Sequence, residues 1–403
     1  MAKIRVGILF GGRSGEHEVS LLSAASVLNA IDKTKYEVVP IGITKDGRWL
    51  TAEHAERLLK GDAGEGARAT QTHLRAGDPE ATPGAALLAT GESVVVPPEP
   101  ARHDAGLAPF QTDANLRRAA DRAINVDVIF PVLHGTFGED GTIQGLLELA
   151  DIAYVGAGVL GSSAGMDKDI MKSLFRAAGL PIVKHVTVLR GQFEGPSKDA
   201  PKKVQKLVES KLKYPVFVKP ANLGSSVGIS KAHDGKELGP AIAEAAKFDR
   251  KIVIEEGVGG KKNKAREIEC AVLGNDDPKA SIAGEIVPCK EFYDYDAKYL
   301  AEGSELVIPA KITKAEMKTV RRLAIAAFQG VDCTGLARVD FLMDPKSRRI
   351  FVNEINTMPG FTAISMYPKL WAATGVPYPE LIDRLIQLGI ERHEDKKRNQ
   401  YNR

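Results

Sequence analysis

The chain has 403 residues, 43% of them hydrophobic, with 55 Lys and Arg against 52 Asp and Glu and a formal charge of +3. That length supplies two or three buried cores, and the near balance of charge excludes a nucleic-acid binder that works mainly through electrostatics. No run of about 18 apolar residues is present to cross a bilayer, and Met1-Ala2-Lys3-Ile4-Arg5-Val6 opens without a signal-type apolar region, so a cytoplasmic protein with no membrane partner is expected.

Residues 5–10 read as a buried strand ending in the turn Gly11-Gly12-Arg13-Ser14-Gly15, and a helical period starts near Glu18 with Leu21, Leu22, Ala25, Leu28 and Ile31. Residues 38–43 form a second strand, with Pro40 favouring an edge or an irregularity. This opening predicts an α/β unit. Over residues 61–115 Ala, Gly, Pro and Thr dominate amid turn signals, and a surface elaboration is expected there, holding a hairpin of Leu87-Leu88 with Val94-Val95-Val96. The strand at 126–133 ends at His134-Gly135; Gly138-Glu139-Asp140-Gly141, a helix over 142–149 and a strand over 151–155 follow. Residues 156–165, rich in glycine and serine, read as a crossover between domains.

Strands over 183–189, 214–220 and 252–256, with helices over 167–178, 200–212 and 237–246, predict a compact α+β second domain. Strands over 266–273, 282–288 and 306–310, a helix over 314–328 and strands around Asp340 and Asn356 predict a mainly antiparallel third domain. Residues 391–398 are densely charged and are expected to form a solvated, frayed tail. The expected division is 1–160, 161–257 and 258–395, with a tail over 396–403.

The chemistry concentrates in a few places. In a strand, residues i and i+2 share a face, so Arg338 shares one with Asp340, and Glu354 with Asn356. Two carboxylates and an amide oxygen are hard donors of the kind Mg²⁺ takes while it also holds phosphates. Arg338, beside Asp340, is suited to a developing oxyanion. Taken alone, these charges also fit simple pairing at strand ends. The loop Gly224-Ser225-Ser226-Val227-Gly228 alone suits a plain hairpin; with Lys219 before it and Lys168 at a helix start, it suits a triphosphate. Glu255 and Glu256, ahead of Gly257-Val258, resemble a hinge whose backbone meets an adenine edge. The run Phe292-Tyr293-Asp294-Tyr295-Asp296-Ala297-Lys298-Tyr299 suits a lid that excludes water, or else a surface loop. His134 suits an anion or a cap. Cys270, Cys289 and Cys333 lack ligand or disulfide spacing and read as buried inert thiols.

Together these motifs resemble the D-alanine–D-alanine ligases of the ATP-grasp superfamily. The resemblance runs through Gly11-Gly12-Arg13-Ser14-Gly15-Glu16-His17-Glu18-Val19-Ser20, His134-Gly135, Gly138-Glu139-Asp140-Gly141, Met166-Asp167-Lys168 and Val218-Lys219-Pro220. It continues through the 224–228 loop, Tyr293-Asp294-Tyr295, Ala297-Lys298-Tyr299, Arg338-Val339-Asp340, Asn353-Glu354-Ile355-Asn356-Thr357 and Pro359-Gly360. It implies α/β and α+β parts: an ATP-grasp fold behind an N-terminal Rossmann-like (preATP-grasp) α/β domain. It also implies joining of two D-alanines through an acyl phosphate at the cost of ATP, for peptidoglycan synthesis.

By the same resemblance, Glu16 holds the first D-alanine's ammonium, and Glu16, Ser225 and Tyr299 form a network that positions the second substrate and ties the lid. His134 lies near the first substrate. Lys168, Lys219 and Lys298 bind ATP phosphates, Ser226 covers the phosphoryl group, Glu255, Glu256 and Val258 line the adenine hinge, and Glu267 binds the ribose. Asp340, Glu354 and Asn356 hold magnesium, two ions being expected and Mn²⁺ substituting. Arg338 and the Gly335 backbone stabilise the adduct, and Ser365 and Met366 meet the second D-alanine's carboxylate. Tyr299 suggests an amine nucleophile over D-lactate, and a homodimer is implied. Glu256 departs from relatives with a lysine there, and residues 261–264 form an extra basic tract.

Overall fold

The structure, a computed structural model, describes residues 2–45, 47, 49–51, 92–95, 106–109, 124–224, 227–260, 263–287, 305–362 and 364–401. Three sheets organise them. The first contains β1 (Ile4–Gly11), β2 (Tyr36–Ile43), β3 (Trp49–Thr51), β4 (Glu92–Val95), β5 (Gly106–Pro109), β6 (Ile124–Asn125), β7 (Val128–Pro131) and β8 (Ala153–Tyr154), in the order β6-β5-β4-β3-β2-β1-β7-β8. β1 runs parallel to both β2 and β7, and β7 to β8. Parallel strands covered on both faces need continuous apolar runs, which Val6 to Phe10 and Val128 to Pro131 supply.

Pro40 lies inside this sheet, opposite Ile8, and not at its edge. Pairing with β3 begins only at Ile41, so the missing Pro40 N–H leaves no β3 partner unsatisfied. In the 61–115 segment, Val94 and Val95 pair with Pro109 and Ala108, extending the sheet; Leu87, Leu88 and Val96 of the expected hairpin lie outside the described residues. Helix α1 (His17–Ala30) follows β1, and α2 (Thr142–Leu149) follows β7. The glycine- and serine-rich crossover is itself largely helical, as α3 (Val159–Met166). There Gly161 lets the helix approach the Asp332 carbonyl, which an added Cβ would meet at 2.7 Å.

The second sheet is antiparallel, in the order β11-β10-β12-β9, built from β9 (His185–Leu189), β10 (Val216–Pro220), β11 (Ser230–Ala232) and β12 (Lys251–Glu256). Helices α4 (Lys168–Ala177), α5 (Arg190–Phe193), α6 (Ala200–Lys211) and α7 (Gly235–Phe248) accompany it. Val204 and Val208 of α6 and Leu238, Ile242 and Ala245 of α7 bury against Val188, Val218 and Ile254.

The third sheet is also antiparallel: β13 (Arg266–Gly274), β14 (Lys279–Val287), β15 (Glu305–Val307), β16 (Gly335–Met343) and β17 (Ile350–Asn356), in the order β15-β14-β13-β16-β17. Helix α8 (Lys314–Gly330) starts at a capping box between Thr313 and Glu316 and buries Val320, Leu323, Ala324, Ala327 and Phe328. Two last helices, α9 (Met366–Ala373) and α10 (Tyr378–Lys396), join the third sheet to the first. Tyr367, Leu370, Leu385 and Ile386 share one core with Val6, Ile8, Phe10 and Phe130. Phe361 wedges between them, edge-on to Phe130 at 5.7 Å.

The charged C-terminal run is not a frayed tail up to Lys396, because α10 carries it along the first sheet. The Arg392 guanidinium lies 4.0 Å over the Tyr154 ring, and Lys396 pairs with Glu148. Among the described residues no helix is long and apolar enough to cross a membrane.

Candidate active site

At the centre of the first sheet the chain turns from β1 toward β2 on one side and toward β7 on the other. Such a switch point opens a crevice at the carboxyl ends of the strands. The loops after β1 and β7 fill it. Gly11 and Gly12 have φ of +90° and +96°, and a Cβ on Gly11 would sit 2.2 Å from the Ile43 carbonyl, so only glycine passes there. Ser20 Oγ accepts the Gly11 N–H at 2.8 Å and donates to the Val132 carbonyl. Ser14 Oγ donates to the His134 carbonyl at 2.6 Å. These bonds lace the two loops together and set Glu16 and His134 side by side, 8% and 3% exposed.

His134 Nδ1 lies 3.2 Å from the Met358 carbonyl, an acceptor only, so this nitrogen carries the proton. Nε2 then accepts from Ser23 Oγ at 2.9 Å. Burial lowers the His134 pKa and outweighs the nearby Glu16 carboxylate. His134 is therefore a neutral ring with both nitrogens engaged. Glu139, named above only within its motif and given no role there, takes the Gly135 N–H at 2.8 Å. Burial first, and then the Glu16 charge, push its carboxyl up to about 8.

The third sheet supplies the other wall. β16 and β17 pair with Arg338 opposite Asn356 and Asp340 opposite Glu354, with an irregularity just after Asp340. On the far side of β16, Glu269 of β13 stands opposite Asp340, so three carboxylates cross three strands in one row. Arg338 grips Asp340 with two bonds, Nε to Oδ1 and Nη2 to Oδ2, both 2.7 Å. It also pairs with Glu269 at 3.0 Å. Burial opposes its charge, yet Asp340 and Glu269 hold its pKa well above the ordinary guanidinium value. Asn356 donates its amide nitrogen to Asp340 Oδ2 at 3.0 Å. Among the described residues no group of three or more His, Cys, Asp or Glu side chains is arranged to hold a metal ion.

Between the second and third sheets lies a buried cluster of charge. Asp167 caps α4, accepting from the Asp169 and Ile170 N–H groups at 3.0 and 3.1 Å. The cap fixes Lys168 at the first helical position, where its Nζ donates to the Leu223 carbonyl at 2.7 Å. One turn on, Lys172 pairs with Glu255 Oε1 at 2.9 Å, and Lys219 pairs with Oε2 of the same carboxylate at 2.8 Å. Burial works against this carboxylate, but Lys172 and Lys219 lower it to about 2. Burial lowers the Lys168 and Lys172 pKa values, whereas for Lys219 Glu255 and Glu354 prevail over burial and raise it.

A cavity of about 500 Å³ joins these walls, and it brings together Glu16, His134, Lys168, Arg338, Glu354, Asn356, Ser365 and Met366. This volume suits a small-molecule site. Ser365 ends the loop before α9, with its Oγ accepting the Thr362 N–H at 3.0 Å. Asp340 and Lys219 stand behind the lining, against Arg338 and Glu255. Glu267 is close enough to raise the Lys219 pKa. Ser225, Ser226, Lys298 and Tyr299, with the rest of the expected lid, lie outside the described residues.

Several placements differ from expectation. Gly335 does not face the cavity: its N–H donates to Asn275 Oδ1 at 3.2 Å, and a Cβ there would meet the Gly156 backbone at 3.1 Å. Gly360 lines the cavity instead. The Glu255 side chain points inward to the two lysines, so at the hinge only its backbone is available to a base. Glu256 Oε2 accepts the Lys213 N–H at 3.0 Å, while the Glu256 and Gly257 N–H groups are taken by the Lys184 and Pro215 carbonyls. Of the expected hinge residues, Val258 is the next along. Glu139, Lys172 and Glu269 were missed. Cys270 and Cys333 are buried, and burial pushes the Cys270 thiol up to about 12; Cys289 lies outside the described residues.

The family described as D-ala D-ala ligase N-terminus matches residues 5–157, and D-ala D-ala ligase C-terminus matches residues 174–387. A D-alanine–D-alanine ligase of Chloroherpeton thalassium is 47% identical over 398 residues, covering 98% of this chain and 99% of that one. One from Heliobacterium modesticaldum is 47% identical over 400 residues, covering 99% and 98%. Among solved structures, the D-alanine–D-alanine ligase from Coxiella burnetii superposes with a TM-score of 0.76 at 35% identity, over 98% of this chain and 97% of that one. The VanG D-Ala:D-Ser ligase from Enterococcus faecalis does so with 0.77 at 33% identity, over 96% and 100%. Two family matches that span most of the chain, and relatives aligned along nearly its whole length, settle the kinship: the chain belongs to the D-alanine–D-alanine ligase family of the ATP-grasp superfamily.

Proposed function

We infer that this chain joins two D-alanine molecules into D-alanyl-D-alanine, for peptidoglycan precursor synthesis and cell wall biogenesis, with ATP converted to ADP and phosphate. The observation that carries this reading is the pairing of Arg338-Asp340 with Glu354-Asn356, which sets Arg338, Glu354 and Asn356 in the cavity that Glu16 lines, with Asp340 directly behind Arg338. The γ-phosphoryl group passes from ATP to a carboxylate oxygen of the first D-alanine. The neutral amine of the second then attacks that acyl carbonyl, and collapse of the adduct expels phosphate as the amide forms and the nitrogen loses a proton.

Glu16 holds the first substrate's ammonium, supported by its burial in the switch-point crevice beside neutral His134. Lys168 and Lys219 take the phosphates, joined by Lys298 and Ser226, and Glu267 takes the ribose. The adenine edge meets the hinge backbone at Glu255, Glu256 and Val258. Asp340, Glu354 and Asn356 would hold Mg²⁺, two ions in this reading, with Mn²⁺ a substitute. The donor set fits such an ion: all three are hard oxygen donors, and Asp340 already balances a cation, the Arg338 guanidinium. When bound, the metal supplies charge neutralisation at the transferring phosphoryl group. Arg338 stabilises the oxyanion of the adduct; Gly335 has no part in it. Ser365 and Met366 receive the second substrate's carboxylate, and Ser225 and Tyr299 complete the network with Glu16. A division at about residues 160 and 257 follows the three sheets.

We further propose a homodimer, on the strength of the exposed apolar side chains Leu146, Leu149, Val159 and Leu160 on the contacting helices α2 and α3. Sedimentation should show twice the chain mass, and Leu149→Lys with Leu160→Glu should shift it to the monomer; a wild-type monomer at micromolar concentration would refute the dimer.

For the activity, purified protein with ATP, Mg²⁺ and D-alanine should release ADP and phosphate and yield the dipeptide by mass. D-serine and D-lactate as second substrates complete the panel. No product with D-alanine alone, but product once D-lactate is added, would reject the dipeptide assignment.

A further inference from the structure

We propose that Lys172 is a positioning residue of the nucleotide site, whose buried ammonium keeps the Glu255 carboxylate in place while Lys219 leaves that carboxylate for the phosphates. The proposal rests on the reading of Lys219 as a phosphate ligand. Lys172 is 0% exposed, and its Nζ lies 2.9 Å from Glu255 Oε1. Lys219 holds the other oxygen at 2.8 Å. The same Lys172 nitrogen donates to the Asn353 carbonyl at 3.1 Å, one residue before Glu354. Helix α4, hinge strand β12 and strand β17 therefore meet on a single charged group.

The charge arithmetic explains the need for two lysines. A lone buried carboxylate holds its only counter-ion hard, because losing it strands a desolvated charge. With Lys219 as that only partner, a nucleotide would have to break the pair outright. With Lys172 present, Glu255 keeps a partner whether Lys219 points to it or to a phosphate. Lys172 itself is fully enclosed and tied on a second side by the Asn353 carbonyl, so it cannot follow Lys219 outward. It never touches the substrate, and its effect reaches ATP only through Glu255 and Lys219.

Lys172→Met keeps the length of the side chain and removes the charge. It should raise the KM for ATP by about 10-fold or more, the scale of a buried charge left with one partner. The KM for D-alanine should stay within about twofold. Adding Glu255→Gln removes the carboxylate that pins Lys219, so the double variant should bind ATP about as well as Glu255→Gln alone. An unchanged KM for ATP in Lys172→Met, an equal rise for both substrates, or purely additive effects in the double variant would overturn the proposal. Lys219→Met separates the two readings. If it leaves ATP binding intact, the phosphate role of Lys219 fails; if it weakens ATP binding while Lys172→Met does not, only the role of Lys172 fails. Should Lys172→Met not fold, a crystal structure of the wild-type protein with a non-hydrolysable ATP analogue and Mg²⁺ decides. Lys219 should have left Glu255, with Lys172 still paired to it; Lys219 still on Glu255, or Lys172 displaced, overturns the proposal.

Discussion

Arg338→Met should lower turnover by roughly 10²–10³-fold, the usual cost of removing one oxyanion-stabilising donor, and should also destabilise the fold in the absence of metal. The second effect follows from the side-chain exposures: 16% for Arg338, 14% for Asp340 and 8% for Glu269. Removing the cation leaves two buried carboxylates facing each other across paired strands, at a cost of about 3–5 kcal/mol. In the wild type the guanidinium occupies both Asp340 oxygens, so a metal ion reaching that carboxylate competes with it for the negative charge. In the variant that competitor is gone. Millimolar Mg²⁺ should therefore raise the melting temperature of Arg338→Met by several degrees while moving the wild type much less. Thermal denaturation with and without chelator measures this directly. Equal Mg²⁺ responses in the two proteins would mean that the carboxylate row does not receive the ion.

The same row shows what the sequence could and could not reveal. Alternation along a strand put Arg338 and Asp340 on one face and Glu354 and Asn356 on another, and the register between β16 and β17 joins those faces. Glu269 was invisible because its place depends on how β13 pairs with β16, a register set about 70 residues away by packing and not by local pattern. Lys172 shows a related failure. It sits four residues after Lys168, hence on the same helix face, and that spacing was a readable signal; a charged residue in an amphipathic helix simply looks like a solvated one until its partner Glu255 is known. Gly335 was assigned to the adduct through the resemblance, but its left-handed backbone serves a close approach to Gly156. The charged C-terminal run was read without the apolar residues before it. Leu381, Ile382, Leu385 and Ile386 carry the helix onward, and Arg392 and Lys396 then find Tyr154 and Glu148.

Glu354→Ala should abolish most turnover while sparing the fold and nucleotide binding. Glu354 lines the cavity beside Lys168, and its charge acts on three lysines together: it opposes the burial that lowers Lys168 and Lys172, and it helps Glu255 raise Lys219. Removing a metal-holding carboxylate takes away charge neutralisation at the moment of phosphoryl transfer, worth several kcal/mol; about 4 kcal/mol corresponds to roughly 10³-fold in turnover. Ground-state binding should move the other way. The lysines remain, and the anion nearest the phosphates has gone, so ADP without metal should bind as tightly as to the wild type or tighter. Titration calorimetry with ADP in chelator, set beside steady-state turnover in Mg²⁺, separates the two effects. Weaker metal-free ADP binding would assign Glu354 to shaping the pocket, and near-normal turnover at ordinary magnesium would remove it from the metal site altogether. An intact melting temperature is needed to read either result, and a carboxylate at the cavity wall, not in a core, leaves the packing beneath it in Ile355 and Val352 undisturbed.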